Sequence, residues 1–216
     1  MSVLRQIVVG FCALFAASLA AADDGRSLNQ IPMYGDGPKS AAMKAADQEL
    51  VKAVLAQGLT REQAAKKSVQ IGWKTFFRGD PNTAIMRFNQ AWLFNPEDGN
   101  AFHGFAVVSA SVNRPADEVE RYFRTAISKP NVTPGAHIDY ARFLNLQERH
   151  REAIDLAMAA LRKTPDAKGA RTQLFYAYMA MGDAINSCKW GRAAKKAGER
   201  PGLQTELMMA CRHSLY

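Results

Sequence analysis

The run Gly72–Pro96, GWKTFFRGDPNTAIMRFNQAWLFNP, decides the fold. It reads as two short helices with a stop between them. The first carries an apolar face and ends at Gly79. Asp80 then stands as an N-cap, with Pro81 at the first helical position, where a missing N–H costs nothing. The second helix sets Ala84, Phe88, Ala91 and Trp92 on one face, and Asn95-Pro96 closes it. The same signals return along the chain. Ala91 reappears as Ala126, Ala160 and Ala194, at spacings of 35, 34 and 34, and Pro96 as Pro130, Pro165 and Pro201. The turn position reads Gly79, Asn113, Glu148 and Gly182; the next buried position reads Ala84, Val119, Ala153 and Ser187. A single helical hairpin cannot bury its own apolar face, so this period predicts hairpins stacked into a solenoid.

Counted within such a repeat, Gly falls at places 8 and 15, Ala at 20 and 27, an aromatic at 24 and Pro at 32. The set resembles the tetratricopeptide (TPR) repeat. The IPMYG, GW and RFNQAW runs around Ile31, Gly72 and Arg87 also look similar to a family of exported bacterial envelope TPR proteins of unassigned role. The resemblance implies an all-α, right-handed α-solenoid of about four TPR-like hairpins over residues 40–216. An N-terminal helix and a C-terminal capping helix close it, and its implied work is protein interaction.

Ala41–Gln57 reads as that first helix, with Met43, Ala46, Leu50, Val54 and Leu55 on one face and Gly58 as its stop. Thr60 to Gln63 form a capping box for the next helix. The second repeat begins near Gly99 and carries one extra turn residue at Asn113-Arg114-Pro115. Thr133-Pro134 repeats the cap-plus-proline start, so the glycosylation-like triplet Asn131-Val132-Thr133 is read as a turn and cap. In the fourth repeat Gly191 stands where an aromatic is expected, as in a degenerate terminal unit. Leu203, Leu207, Cys211 and Leu215 then make the stripe of the capping helix. Ile71, Phe88, Phe102 and Phe105 are the expected core.

Arg5 is the only charge before Asp23, and Ile7 to Phe15 are followed by small residues from Ala16 to Ala22. This is the pattern of a secretory signal peptide over residues 1–22, cleaved after Ala22 or Ala20, which predicts a periplasmic or secreted protein. Bulky Phe11 before Cys12 is wrong for lipidation. Residues 23–39 form a Gly/Pro-rich arm, expected to be extended. Either it straps across the repeats, with Ile31 to Tyr34 over groove aromatics, or it tucks against the first helix. Its GDGPKS run is no phosphate loop, because Pro38 replaces the glycine before Lys39.

The net charge is +8, with seventeen Lys/Arg against eleven Asp/Glu in residues 114–216 and ten against nine in residues 23–113. Export argues against nucleic acid as partner; weak contact of the basic half with anionic surfaces is a secondary expectation. The four histidines show no HExxH or paired-Cys spacing, and no GxSxG elbow occurs, so no metal, cofactor or catalytic group is expected. With the signal removed, Cys188 and Cys211 are the only cysteines, in an oxidising compartment. They lie at similar distances from the turn near Arg200, so antiparallel helices would bring them together as a disulfide; the alternative is two buried free thiols.

In TPR-like folds the first helices line a concave groove through places 2, 5, 9 and 12. Carried over, these are Lys66, Val69, Trp73 and Phe76; Asn100, His103 and Val107; Ile138, Arg142 and Asn145; and Thr172, Tyr176 and Met179. Such a mixture suits a protein or peptide partner. Place 6 reads Gln70, Gly104, Asp139 and Gln173, which departs from the carboxylate clamp of chaperone-binding TPR domains. As a groove residue, Trp73 is expected to be removable without loss of stability. The alternative is an assembly subunit of an envelope complex, held by its convex or basic C-terminal surface around Lys189 and Arg192.

Overall fold

Within each of four helical pairs the chain reverses through a residue of positive φ: Gly79 (85°), Asn113 (55°), Glu148 (60°) and Gly182 (74°). At each reversal the next N–H reaches back to the same carbonyl of the preceding helix: Asp80 to Thr75, Arg114 to Ser109, Arg149 to Leu144 and Asp183 to Tyr178. This is the hydrogen bond that ends a helix in a Schellman turn. Glycine adopts the left-handed region at no steric cost, and asparagine tolerates it; Glu148 is held there by the same bond.

The computed structural model describes residues 26–199 and 203–212. The turns join four helical pairs, α2 (Arg61–Phe76) with α3 (Pro81–Phe94), α4 (Gly99–Ser111) with α5 (Ala116–Ser128), α6 (Pro134–Leu146) with α7 (His150–Lys163), and α8 (Ala170–Ala180) with α9 (Ala184–Lys196). α1 (Ala41–Leu55) precedes them and α10 (Leu203–Arg212) follows. The fold is the TPR-type solenoid, and no strand occurs among the described residues. Residues 1–22, Pro201, Leu215 and the side chain of Leu203 lie outside what is described.

The repeating small residues sit where helices approach most closely. Ala84, Ala91, Ala126, Ala153, Ala160, Ser187 and Ala194 are fully buried. Phe88 of α3 fills the space that glycines leave on two neighbouring helices. A Cβ at Gly72 would stand 2.7 Å from its ring, and one at Gly104 would stand 2.3 Å away. Gly191 is not a lapse in the pattern. The first repeats pair a small residue at place 8 (Gly72, Ala106) with an aromatic at place 24 (Phe88, Phe123). The fourth reverses the pair: Phe175 sits at place 8, and a Cβ on Gly191 would meet its ring at 2.8 Å and Leu207 at 2.7 Å. Exchanging sizes across a contact conserves volume, the kind of change that cores tolerate best.

The caps follow the sequence in most places. Asp80 Oδ1 accepts from Thr83 N at 2.9 Å, Asp183 Oδ1 accepts from Asn186 N at 3.0 Å, and Thr60 and Gln63 form the capping box. Thr133 departs from expectation, because its hydroxyl caps nothing. Its backbone N–H instead donates to Asn100 Oδ1 of the preceding repeat at 3.0 Å. Two further expectations fail. Ile71 is 46% exposed rather than core. α1 docks through only part of its length, burying Val51 against Ala64, Ala65 and Phe94 and leaving Ala46 and Leu55 exposed.

The arm is not extended. It forms two 3₁₀ turns, Leu28–Gln30 and Pro32–Asp36, that pack on α3 rather than on α1 or across the first helices. Asn89, fully buried on α3, is the reason. Its amide donates to the carbonyls of Asn29 and Ile31, both at 2.9 Å, and its oxygen accepts from Met33 N at 2.8 Å. One side chain thus satisfies three backbone groups of a segment whose Met33, Tyr34 and Gly35 all have positive φ. Lys39 fastens the end of the arm, pairing with Asp47 and standing 4.1 Å from the Tyr34 ring centre.

Candidate interaction groove

Successive first helices touch, α2 with α4, α4 with α6 and α6 with α8, whereas α3, α5, α7 and α9 make no comparable contact among the described residues. The stack therefore curves toward its first helices, and their outer surface is the concave side. Two chambers open there. One of about 280 Å³ lies among α2, α4 and α6, with Phe76, Val107, Phe143 and Leu146 in its wall. The other, of about 660 Å³, lies between α6 and α8, with Leu146, Tyr176 and Met179 in its wall. Arg142 and Leu146 line both.

The expected groove residues divide by place. Those at places 9 and 12, Trp73 excepted, reach the chambers: Phe76, Val107, Arg142, Asn145, Tyr176 and Met179. Those at places 2 and 5 mostly serve contacts between repeats, because that is where neighbouring first helices touch. Val69 is buried in the main core. Asn100 is spent on Asn131 O, Asp98 and Thr133 N. His103 is buried and donates through Nε2 to Asp139 at 2.9 Å. Thr172 lines the second chamber but is buried, and its N–H and hydroxyl both donate to Glu199, at 2.9 Å each. Ile138 packs with Ala160, Ala167 and Ala170. Lys66 is exposed and lines neither chamber.

Asn145 reaches the second chamber already committed, donating to Gln173 and accepting from His150 Nδ1 at 3.1 Å. Trp73 has two sides. Its ring lies 5.3 Å from Phe88 and 4.8 Å from His103, and also contacts Phe76 and Phe77. It is therefore partly core, and Trp73→Ala is not neutral as the sequence led us to expect. Truncating a ring packed on Phe88 costs roughly 2–4 kcal/mol.

The most exposed apolar residues on this face had not been singled out from the sequence. Phe77 is 78% exposed and Leu146 is 75% exposed. Both stand at place 13, two residues before the turn, and a large apolar residue recurring next to a turn was the available signal. The described part of the arm does not cover this surface, since Ile31 to Tyr34 lie against α3 and Tyr34 contacts Trp92.

Behind the groove lie two titrating groups, of which Glu120 ties one repeat to the next. Glu120 accepts from Arg149 at 2.6 Å, from Tyr140 at 2.7 Å and from Arg124, and these partners hold its carboxyl down at about 2. Burial, reinforced by the Lys163 cation 3.5 Å from Nε2, pushes His137 down to about 4, and its Nδ1 is buried without a partner. Both folded values lie below the unfolded ones, so both groups withdraw stability as protons are added. The His137 contribution is intact above its ordinary 6.5 and disappears as pH falls toward 4; that of Glu120 disappears between 4.5 and about 2. Urea midpoints should therefore fall between pH 7 and pH 4 by the equivalent of about 2–3 kcal/mol. His137→Gln should flatten that window and leave the lower one in place. A midpoint independent of pH from 7 to 4 in the unaltered protein would refute the assignment.

No protein-family model matches the chain. The protein O-mannosyl-transferase Tmtc1 of Drosophila melanogaster is 31% identical over 102 residues, which are 47% of this chain and 12% of that protein. Among solved structures, the chain is similar to PilF of Pseudomonas aeruginosa, with a TM-score of 0.65 and 18% identity over 72% of this chain and 71% of that one. It is also similar to MamA, with a TM-score of 0.54 and 16% identity over 71% of this chain and 85% of that one. At such identities the likeness establishes the fold. No described helix is long and apolar enough to cross a membrane.

Proposed function

We propose that the protein is an exported, non-catalytic interaction scaffold that holds a polypeptide partner in the concave groove. One observation carries the reading: of the most exposed large apolar side chains of the four repeats' first helices and the turns that follow them, Leu146 lines both chambers, and Phe77 packs on Trp73 and on Phe76, which stands in the wall of the first. Large apolar groups turned to water are costly to solubility unless something covers them, and the described residues of the chain's own arm lie elsewhere. The TPR-type likenesses support a scaffold, and the apolar walls suit side chains of a peptide or helix.

Export rests on residues 1–22. N-terminal sequencing of the mature protein should begin at Asp23 or Ala21; an intact Met1 would sink that part of the proposal. The groove is tested by placing a photo-crosslinking residue at Leu146 or Phe77 and, separately, at exposed Asp155 on α7. Irradiation of intact cells should join a polypeptide to the first two sites and not to the third. Adducts only at Lys189 or Arg192 would favour the assembly subunit held by its basic surface.

A further inference from the structure

Arg142 stands where the two chambers meet, and it is the one charged residue that lines both. Its side chain is 58% exposed, and a single nitrogen lies 3.3 Å from Asp139 Oδ1. The other oxygen of Asp139 already accepts from His103, so that carboxylate is shared between two groups. A guanidinium has five N–H donors in a planar fork, and this contact uses little of that capacity. Around it the walls are mostly apolar, with Phe76, Val107 and Phe143 on one side and Tyr176 and Met179 on the other, while Asp139 also lines the first chamber and Thr172, Gln173 and His150 the second. The nearby amide of Asn145 is spent on Gln173 and His150.

Resting on the groove reading above, we propose that Arg142 determines specificity. Its ligand is a polypeptide segment carrying an aspartate or glutamate between two large apolar side chains, one for each chamber. A carboxylate is the group that matches the guanidinium fork with two parallel hydrogen bonds, whereas a basic residue there would set like charges together in a partly desolvated groove. The chambers lie on either side of α6, so their anchors are about one helix spacing, ~10 Å, apart. An extended chain covers that distance in about three residues and a helix in about seven.

The probes are two sets of labelled twelve-residue peptides with leucines three or seven positions apart and Glu, Gln or Lys between them, read by fluorescence polarisation. In at least one set the Glu peptides should bind about fivefold more tightly than the Gln peptides, with Lys weakest. Arg142→Gln, at an exposed site, should erase the difference between Glu and Gln while leaving the thermal midpoint unchanged. Equal binding of all three, or a preference that survives Arg142→Gln, overturns the inference. If binding is equal yet lost on Leu146→Asp, the groove stands and only the carboxylate falls. No binding by any peptide while the crosslink at Leu146 persists likewise overturns this inference alone; loss of both overturns the groove as well.

Discussion

Replacing Phe88 by alanine is expected to lower the free energy of unfolding by about 3–5 kcal/mol, measured by urea denaturation. The ring is fully buried and contacts Trp73 and Phe105, and it fills the space left by Gly72 on α2 and Gly104 on α4. It thus joins the first repeat to the second as well as α2 to α3. Gly104→Ala alone should also destabilise, since its Cβ would stand 2.3 Å from an aromatic carbon that has nowhere to turn. The pair should not add. Once the ring is gone a methyl at 104 fills part of the cavity, so Phe88→Ala with Gly104→Ala should be less destabilised than the sum of the single changes. Full additivity would mean that Phe88 does not lie against Gly104.

Removing the bridge at the other end should cost about 3 kcal/mol. Cys188 and Cys211 are joined with their Cα atoms 4.9 Å apart across a sequence separation of 23. The bridge fixes α10 over the apolar end of the last repeat, where Ala210 meets Phe175 and Ala194 and Leu207 approaches Gly191. In a solenoid each unit leans only on its neighbours, so the loss should be local. With Cys188→Ser and Cys211→Ser, amides of α9 and α10 should exchange with solvent faster, while those of α3 and α4 keep their protection. Thiol titration of the unreduced, unfolded chain beginning at Asp23 should find no free thiol. Two free thiols would end the claim.

The hairpins were legible because each repeat solves the same backbone problem with the same few residues. A left-handed turn residue and small residues at close helix crossings recur in every hairpin, with an Asp cap at two of the four second helices, and all depend on neighbours within one hairpin. What escaped the sequence depends on partners far along the chain. Asn89 looked like one polar residue on a helix, yet it meets Asn29, Ile31 and Met33 from 56 to 60 positions away and so decides where the arm lies. Glu199, beyond α9, caps the start of α8 through Thr172, which no local capping pattern announces. The exchange of Phe175 for Gly191 looked like decay because only one half of the pair was compared. In the groove, most residues at places 9 and 12 line the chambers, while Trp73 and Val107 also pack into the main core. Those at places 2 and 5 mostly serve contacts between repeats, and the tightness of the curve, which brings neighbouring first helices together there, is not written in any single repeat.

The most direct measurement is an equilibrium titration of the polypeptide crosslinked at Leu146 against the unaltered protein, Leu146→Asp, Phe77→Asp and Lys189→Glu. All three positions are exposed, so unfolding midpoints should stay within about 0.5 kcal/mol of the unaltered protein. The account predicts that each groove substitution weakens binding about tenfold or more, with Lys189→Glu close to unaltered. Undiminished binding by Leu146→Asp and Phe77→Asp, with loss on Lys189→Glu, would contradict it.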